Sequence, residues 1–249
     1  GGQTSVIFQI GRMLERIRHS PALNSSPALW PPLGFMVRNW RVCLTCGGLG
    51  LTLLFFTLAG ALATFPGDEA ASETIRENQS DWLNSAALAV STLGGQSVAG
   101  ALMIGLVTLL VIARRRADAL IVFLGAAPIL AGIFLKEAVG RARPDYLIIG
   151  SEPTSLSFPS GHALFAMVFG GLLIVLAGDI IRPVKIRRAI QIGLALLILA
   201  IGASRVYLGV HYPSDVLGGY LFGAMALLGL VWLRNRFSNR GAEMAAAVG

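Results

Sequence analysis

Residues 159–180 read PSGHALFAMVFGGLLIVLAGDI, a Pro-Ser-Gly-His quartet running straight into an apolar stretch. From His162 to Ile180 the stretch carries one acidic residue, Asp179, at its far end, and it is long enough to cross the hydrocarbon core of a bilayer. Five more stretches have the same character, near 42–63, 86–112, 118–139, 189–208 and 214–233. The chain as a whole is 55% hydrophobic and 13% charged, a balance foreign to a soluble domain of 249 residues. The expected fold class is therefore all-α: a polytopic membrane protein with a six-helix transmembrane bundle. Thirty glycines suit such a bundle, because small residues let membrane helices approach closely. Gly219 and Gly223 form one small-xxx-small pair in the last span.

Basic residues alternate from loop to loop. Five (Arg12, Arg16, Arg18, Arg38 and Arg41) precede the first span, Arg114–Arg116 follow the second, Arg182–Arg188 separate the fourth and fifth, and Arg234–Arg240 follow the sixth. The 64–85 loop has only Arg76 among five acidic residues, and is expected to form a short external helix ending near Trp82. Excess Lys and Arg mark cytoplasmic loops, so both termini are expected in the cytoplasm of an inner or plasma membrane. This pattern accounts for the net charge of +7 without nucleic acid, and no nucleic-acid partner is expected.

Before the first span, Val6, Ile7, Ile10, Met13, Leu14 and Ile17 recur at helical spacing among charged residues, which suits an amphipathic helix lying in the membrane interface. Four prolines between 20 and 33 read as a linker. The expected organisation is residues 1–40 as cytoplasmic arm and linker, 41–240 as the transmembrane domain, and 241–249 as a cytoplasmic tail. No cleavable signal segment is evident, so the first span is expected to act as an anchor. Cys43 and Cys46 sit inside an apolar span without a second ligand pair and read as packing residues.

Lys136, Arg141, Arg143 and Arg205 break the charge alternation, and intramembrane cations usually mark function. Lys136 and Arg143-Pro144 close the third span, Ser160-Gly161-His162 opens the fourth, and Ser204-Arg205, His211 and Asp215 run from the fifth into the sixth. With alternating spans, all three groups meet on one face. If the third helix continues, Lys136 and Arg143 lie two turns apart on one side. Ser160 and Gly161 bring a hydroxyl and an open backbone to a helix start, which favours anions. Arg205 has a planar fork for two phosphate oxygens. His211 and Asp215 are one turn apart if the sixth helix begins near Pro213, so the carboxylate can fix the ring tautomer. His162 faces the same cavity as a proton donor. These are the parts of a histidine-dependent phosphatase.

The patterns Lys136-x6-Arg143-Pro144, Pro159-Ser160-Gly161-His162 and Ser204-Arg205-x5-His211-x3-Asp215 resemble the three-part signature of the type-2 phosphatidic acid phosphatase superfamily, in order and at every signature position. The resemblance covers roughly residues 86–233. It implies metal-independent dephosphorylation through a phosphohistidine, with no cofactor. By position it makes His211 the nucleophile, Asp215 its orienting carboxylate, His162 the acid and base, and Lys136, Arg143, Ser160, Gly161 and Arg205 the phosphate ligands. Vanadium haloperoxidases share the signature but are soluble, which the six spans argue against. The short 145–158 loop leaves a membrane lipid phosphate at headgroup depth as the expected substrate, with Tyr146, Tyr207 and Tyr212 near the mouth. Undecaprenyl diphosphate, phosphatidic acid and phosphatidylglycerol phosphate all fit. The alternatives are a lipid-to-lipid phosphotransferase, a lipid A phosphatase, and a non-enzymatic anion or lipid transporter.

Overall fold

A computed structural model describes residues 39–145, 148–151 and 153–248. The amphipathic arm, the proline-rich linker, His19 and Tyr146 lie outside the described residues. Helices are α1 (Trp40–Ala61), α2 (Asp68–Glu77), α3 (Asp81–Thr92), α4 (Gln96–Ile112), α5 (Arg116–Leu124), α6 (Ala126–Val139), α7 (Gly161–Phe165), α8 (Gly171–Ile180), α9 (Val184–Tyr207) and α10 (Pro213–Val248). A π-helical turn, Ala166–Gly170, joins α7 to α8. Contacts divide the chain into two compact units, residues 1–51 and 52–249, and every residue of the expected site lies in the second.

The protein is all-α and polytopic. Among the described residues five helical stretches are long and apolar enough to cross a membrane: Val42–Ala61, Arg116–Val139, Gly161–Ile180, Val184–Tyr207 and Pro213–Phe237. The second expected span is not one helix. It breaks at residues 93–95, and α3 and α4 meet at 47°. Gly94 and Gly95 explain the break, since glycine is the costliest residue but proline to hold in a helix interior. The expected external helix also ends earlier, at Glu77, and Trp82 belongs instead to the first turn of α3, where it is 73% exposed. Helix α10 continues through the segment expected to form a tail.

Large apolar side chains such as Ile104, Phe123, Phe134, Ile192 and Leu196 face outward. A water-facing surface of that kind would be an aggregation liability, whereas hydrocarbon solvates it at no cost. The inner side chains form one principal cluster, in which Met103, Leu110, Ile121, Val122, Leu164, Val168, Leu172 and Leu230 interlock α4, α5, α7, α8 and α10.

Two glycines set how closely α10 approaches α7. A Cβ at Gly219 would stand 2.6 Å from the Ser160 carbonyl oxygen, and one at Gly223 would stand 2.8 Å from the Met167 side chain. The Gly219-xxx-Gly223 pair thus brings the start of α10 against the start of α7. Gly219→Ala is expected to push against backbone, which cannot step aside, and to cost about 1–3 kcal/mol as overpacking does. A fall in the thermal unfolding midpoint of the detergent-purified variant checks this; an unchanged midpoint would show that the helices separate freely.

Candidate active site

Helix α6 ends at Val139 because Gly140 adopts φ +71°, and its N–H closes the helix onto the Lys136 carbonyl at 2.9 Å. The helix therefore does not carry on to Arg143, and the condition under which Lys136 and Arg143 would lie two turns apart is not met. Arg143 instead sits on the irregular segment beyond the helix end. Lys136 is buried in the last turn of α6, and its Nζ donates to the carbonyls of Leu156 (2.7 Å) and Ser157 (3.1 Å). Arg143 reaches the same strap: Nε donates to Ser155 O at 2.6 Å and Nη2 to Leu156 O at 3.3 Å. The backbone N–H of Ser157 donates to Arg141 O at 2.8 Å. Residues 153–160, an irregular strap, are thereby pinned across the end of α6 and lead directly into α7.

Ser160 is fully buried, and its N–H donates to the Asp215 carbonyl at 3.0 Å. Its hydroxyl has no partner among the described residues. Gly161 begins α7, and a Cβ there would meet no atom within 4 Å, so this backbone faces open space. Helix-start N–H groups lack helical acceptors, which suits an anion beside them. His162 occupies the next position, half-buried, with the bend between α3 and α4 packed against its ring through Gly94. The fields of Arg205, His211, Lys136 and Arg143 all reach that ring. Arg205, in the last turn of α9, donates from Nη1 to Ser91 Oγ on α3, while its Nε is buried with no partner among the described residues.

His211 and Asp215 flank the start of α10 at Pro213, as the spacing anticipates. His211 is 3% exposed and Asp215 is fully buried. The ring Nδ1 lies 3.3 Å from Asp215 Oδ2, and Nε2 lies 3.3 Å from Arg143 Nη1. A carboxylate only accepts and a guanidinium only donates. Both neighbours therefore select the same tautomer, with the proton on Nδ1 and the lone pair on Nε2. Burial first, and the charges of Lys136 and Arg143 with it, hold the ring to a pKa of about 3, against the raising effect of Asp215. The imidazole is neutral at pH 7, and stays so as pH falls until that value is approached. Burial also lowers the Arg143 guanidinium, opposed by the Asp215 charge.

The structure brings all eight sequence-predicted residues to one end of the bundle. It also gives two tyrosines specific partners. Tyr207 is tied to the α2–α3 junction, accepting from Ser80 N at 3.1 Å and donating to Asn84 Oδ1 at 2.7 Å. Tyr212 is buried under the Arg141 guanidinium, whose carbon stands 4.8 Å from the ring centre. Sequence reasoning also missed Ser157, which donates to Asp215 Oδ2, and Arg141, which donates to Asp215 Oδ1 at 2.7 Å. Arg141 was visible as a cation breaking the charge alternation, but no motif claimed it. Among the described residues no three His, Cys, Asp or Glu side chains are grouped to hold a metal ion. Those that converge here are accompanied by four cations, a setting that favours anions.

Residues 116–239 match the family described as the PAP2 superfamily. Phosphatidylglycerophosphatase B of Bacillus subtilis is 32% identical over 183 residues, covering 71% of this chain and 89% of that protein. Lipid A 1-phosphatase of Rhizobium etli is 32% identical over 214 residues, covering 78% and 82%. The crystal structure of a transmembrane PAP2-type phosphatidylglycerolphosphate phosphatase from Bacillus subtilis superposes with a TM-score of 0.68 at 29% identity, covering 76% of this chain and 96% of that one.

Proposed function

Since the chain belongs to the PAP2 superfamily and has that family's general activity as a membrane lipid phosphatase, we propose that it hydrolyses lipid phosphates through a phosphohistidine on His211. One observation carries this reading: His211 is held between Asp215 and Arg143 in the tautomer that puts the lone pair on Nε2, which a phosphoryl group reaches by displacing the Arg143 contact. The Nε2 lone pair attacks phosphorus while the bond from phosphorus to the lipid oxygen breaks, and His162, entering the step as imidazolium, gives that oxygen its proton and is left neutral. Water then attacks phosphorus, the N–P bond breaks, His162 takes the water proton, and inorganic phosphate leaves. Lys136, Arg143, Ser160, Gly161 and Arg205 hold the phosphoryl oxygens, where preorganised donors stabilise transferring charge most effectively. The unpartnered Ser160 Oγ and Arg205 Nε support that assignment, because a buried polar atom wants a partner and phosphate oxygens supply one.

In this reading the bent pair α3–α4 counts as one span, giving six, preceded by the amphipathic arm of residues 1–40. Fifteen of the twenty basic residues then lie on the cytoplasmic side with both termini, and the site opens to the periplasm or exterior. The related enzymes act on lipids as different as a glycerophospholipid and lipid A. A broad specificity for lipid monophosphates and diphosphates, isoprenoid diphosphates included, fits a site with so short a covering strap.

The test is phosphate release by detergent-purified protein from phosphatidic acid, phosphatidylglycerol phosphate and undecaprenyl diphosphate, with and without a chelator. Release of inorganic phosphate that survives chelation is expected. A newly phosphorylated lipid in place of free phosphate would make the enzyme a transferase, and no release at all would favour a transporter.

A further inference from the structure

Among the described residues Arg141 is the site cation that is paired with carboxylates. Its Nη1 donates to Asp215 Oδ1 and to Ser214 Oγ, both at 2.7 Å, its Nη2 to Asp68 Oδ2 at 2.8 Å, and its Nε to Ala63 O at 3.0 Å. The guanidinium is almost wholly buried, and its faces lie against Tyr212 and Phe65, at 4.8 and 5.4 Å from the ring centres. Its charge is spent on two buried carboxylates, unlike that of Arg205, whose buried Nε has no partner among the described residues. Arg141 is therefore poorly placed to bind phosphate.

Asp68 is equally committed. It is 3% exposed in the first turn of α2, where it accepts from Phe65 N at 2.9 Å, Ser214 N at 3.0 Å and Ser214 Oγ at 2.6 Å besides Arg141. A buried ion triad such as Asp68–Arg141–Asp215 contributes little net stability, because desolvation offsets the attraction. Its effect is geometric and electrostatic. It fixes one oxygen of Asp215, leaving the other for His211, Ser157 and the Tyr212 N–H. Because Asp68 shares the guanidinium, Asp215 is not fully neutralised and keeps charge with which to polarise the ring.

We propose that Asp68 and Arg141 are positioning residues for the nucleophile, through which the external helix α2 sets the orientation and charge of the Asp215 carboxylate. This rests on the reading of His211 as nucleophile. Neither residue would touch substrate, so both should act on turnover and leave phosphate affinity alone. The charged groups bearing on His211 are Asp215 on α10, Lys136 on α6 and Arg143 beyond it, with His162 on α7. None of them belongs to α2, so α2 acts on the ring through Arg141 and through the Asp68 contacts to Ser214, next to Asp215.

The test is steady-state kinetics of Asp68→Asn, a near-isosteric change, with inorganic phosphate as a competitive probe of the anion site. The expected result is a fall in kcat of about tenfold or more, with KM and the phosphate inhibition constant within about twofold of wild type. Arg141→Gln should lose more, and Arg141→Lys should recover part of that loss by restoring charge without the two-carboxylate fork. If Arg141→Gln does not fold, Asp68→Asn alone decides. An unchanged kcat, or a loss of kcat matched by an equal loss of phosphate affinity, would overturn the proposal, the second because it describes a damaged pocket. His211→Ala separates the two claims. If that variant turns over normally, the nucleophile reading fails; if it is dead while Asp68→Asn is wild type, only the positioning role fails.

Discussion

His211→Ala is expected to stop phosphate release, with kcat reduced by about 10³-fold or more, as losses of covalent nucleophiles are. The expectation follows from the position of the ring rather than from its identity alone. His211 is buried between Asp215 and Arg143, and no other described imidazole has a carboxylate on one nitrogen and a cation on the other. His162 makes no ring hydrogen bond to a described residue, and so lacks the orientation a nucleophile needs. Two measurements check the role. Turnover of the variant gives the loss, and alkaline quenching with labelled substrate asks whether phosphate still becomes attached to protein, since an N–P bond on imidazole survives base and is lost in acid. Wild-type turnover in the variant, or label retained on it, would remove His211 from the reaction. The variant should remain folded, since alanine at a site with other polar groups satisfied by Arg141, Ser157 and the Tyr212 N–H strands no charge. In the free protein, the pKa near 3 keeps the neutral ring present throughout the neutral range, as a nucleophile requires.

Most of this site was legible because its chemistry is written into span ends. Lys136, Arg143, Arg205 and His211 stand where a bilayer protein would otherwise put apolar side chains, and strict alternation of spans brings them to one face without knowledge of any contact. What stayed hidden depends on tertiary placement. Asp68 reads as one acid among five in an external loop, and nothing local reveals that α2 inserts it beside Ser214 and Arg141. Ser91 reads as a small polar residue in an apolar stretch until the bend at Gly94 sets α3 against α9 and His162. That bend was misjudged because hydropathy measures whether residues tolerate lipid, not whether the helix is continuous. Continuation of the third helix was only a condition on the Lys136–Arg143 spacing; the backbone turns at Gly140, and Arg143 lies beyond the helix end. Tyr207 and Tyr212 were expected near the mouth, and their engagement by Asn84 and Arg141 is tertiary placement that no local pattern reveals.

The second large effect is expected at Arg205. Arg205→Ala should lower kcat/KM by about 10²–10³-fold, the usual consequence of removing one preorganised donor from a developing anion. Of the four cations here, Arg205 is the least consumed by the protein. Lys136 gives its ammonium to two carbonyls, Arg143 is spread over the strap and His211, and Arg141 is bound into carboxylates. Arg205 spends one Nη1 proton on Ser91 Oγ and leaves a buried Nε–H over. Two adjacent N–H groups of one planar fork can therefore meet two oxygens of the same phosphoryl group. Arg205→Lys tests that geometry separately from charge: a single ammonium cannot span two oxygens, so it should recover only a small part of the loss. Ser91→Ala should cost less than Arg205→Ala, because it frees the guanidinium to swing without removing it. The inhibition constant for inorganic phosphate should rise in Arg205→Ala, where Asp68→Asn leaves it in place. If Arg205→Lys matches wild type, the fork contributes nothing beyond its charge, and the bidentate contact is wrong.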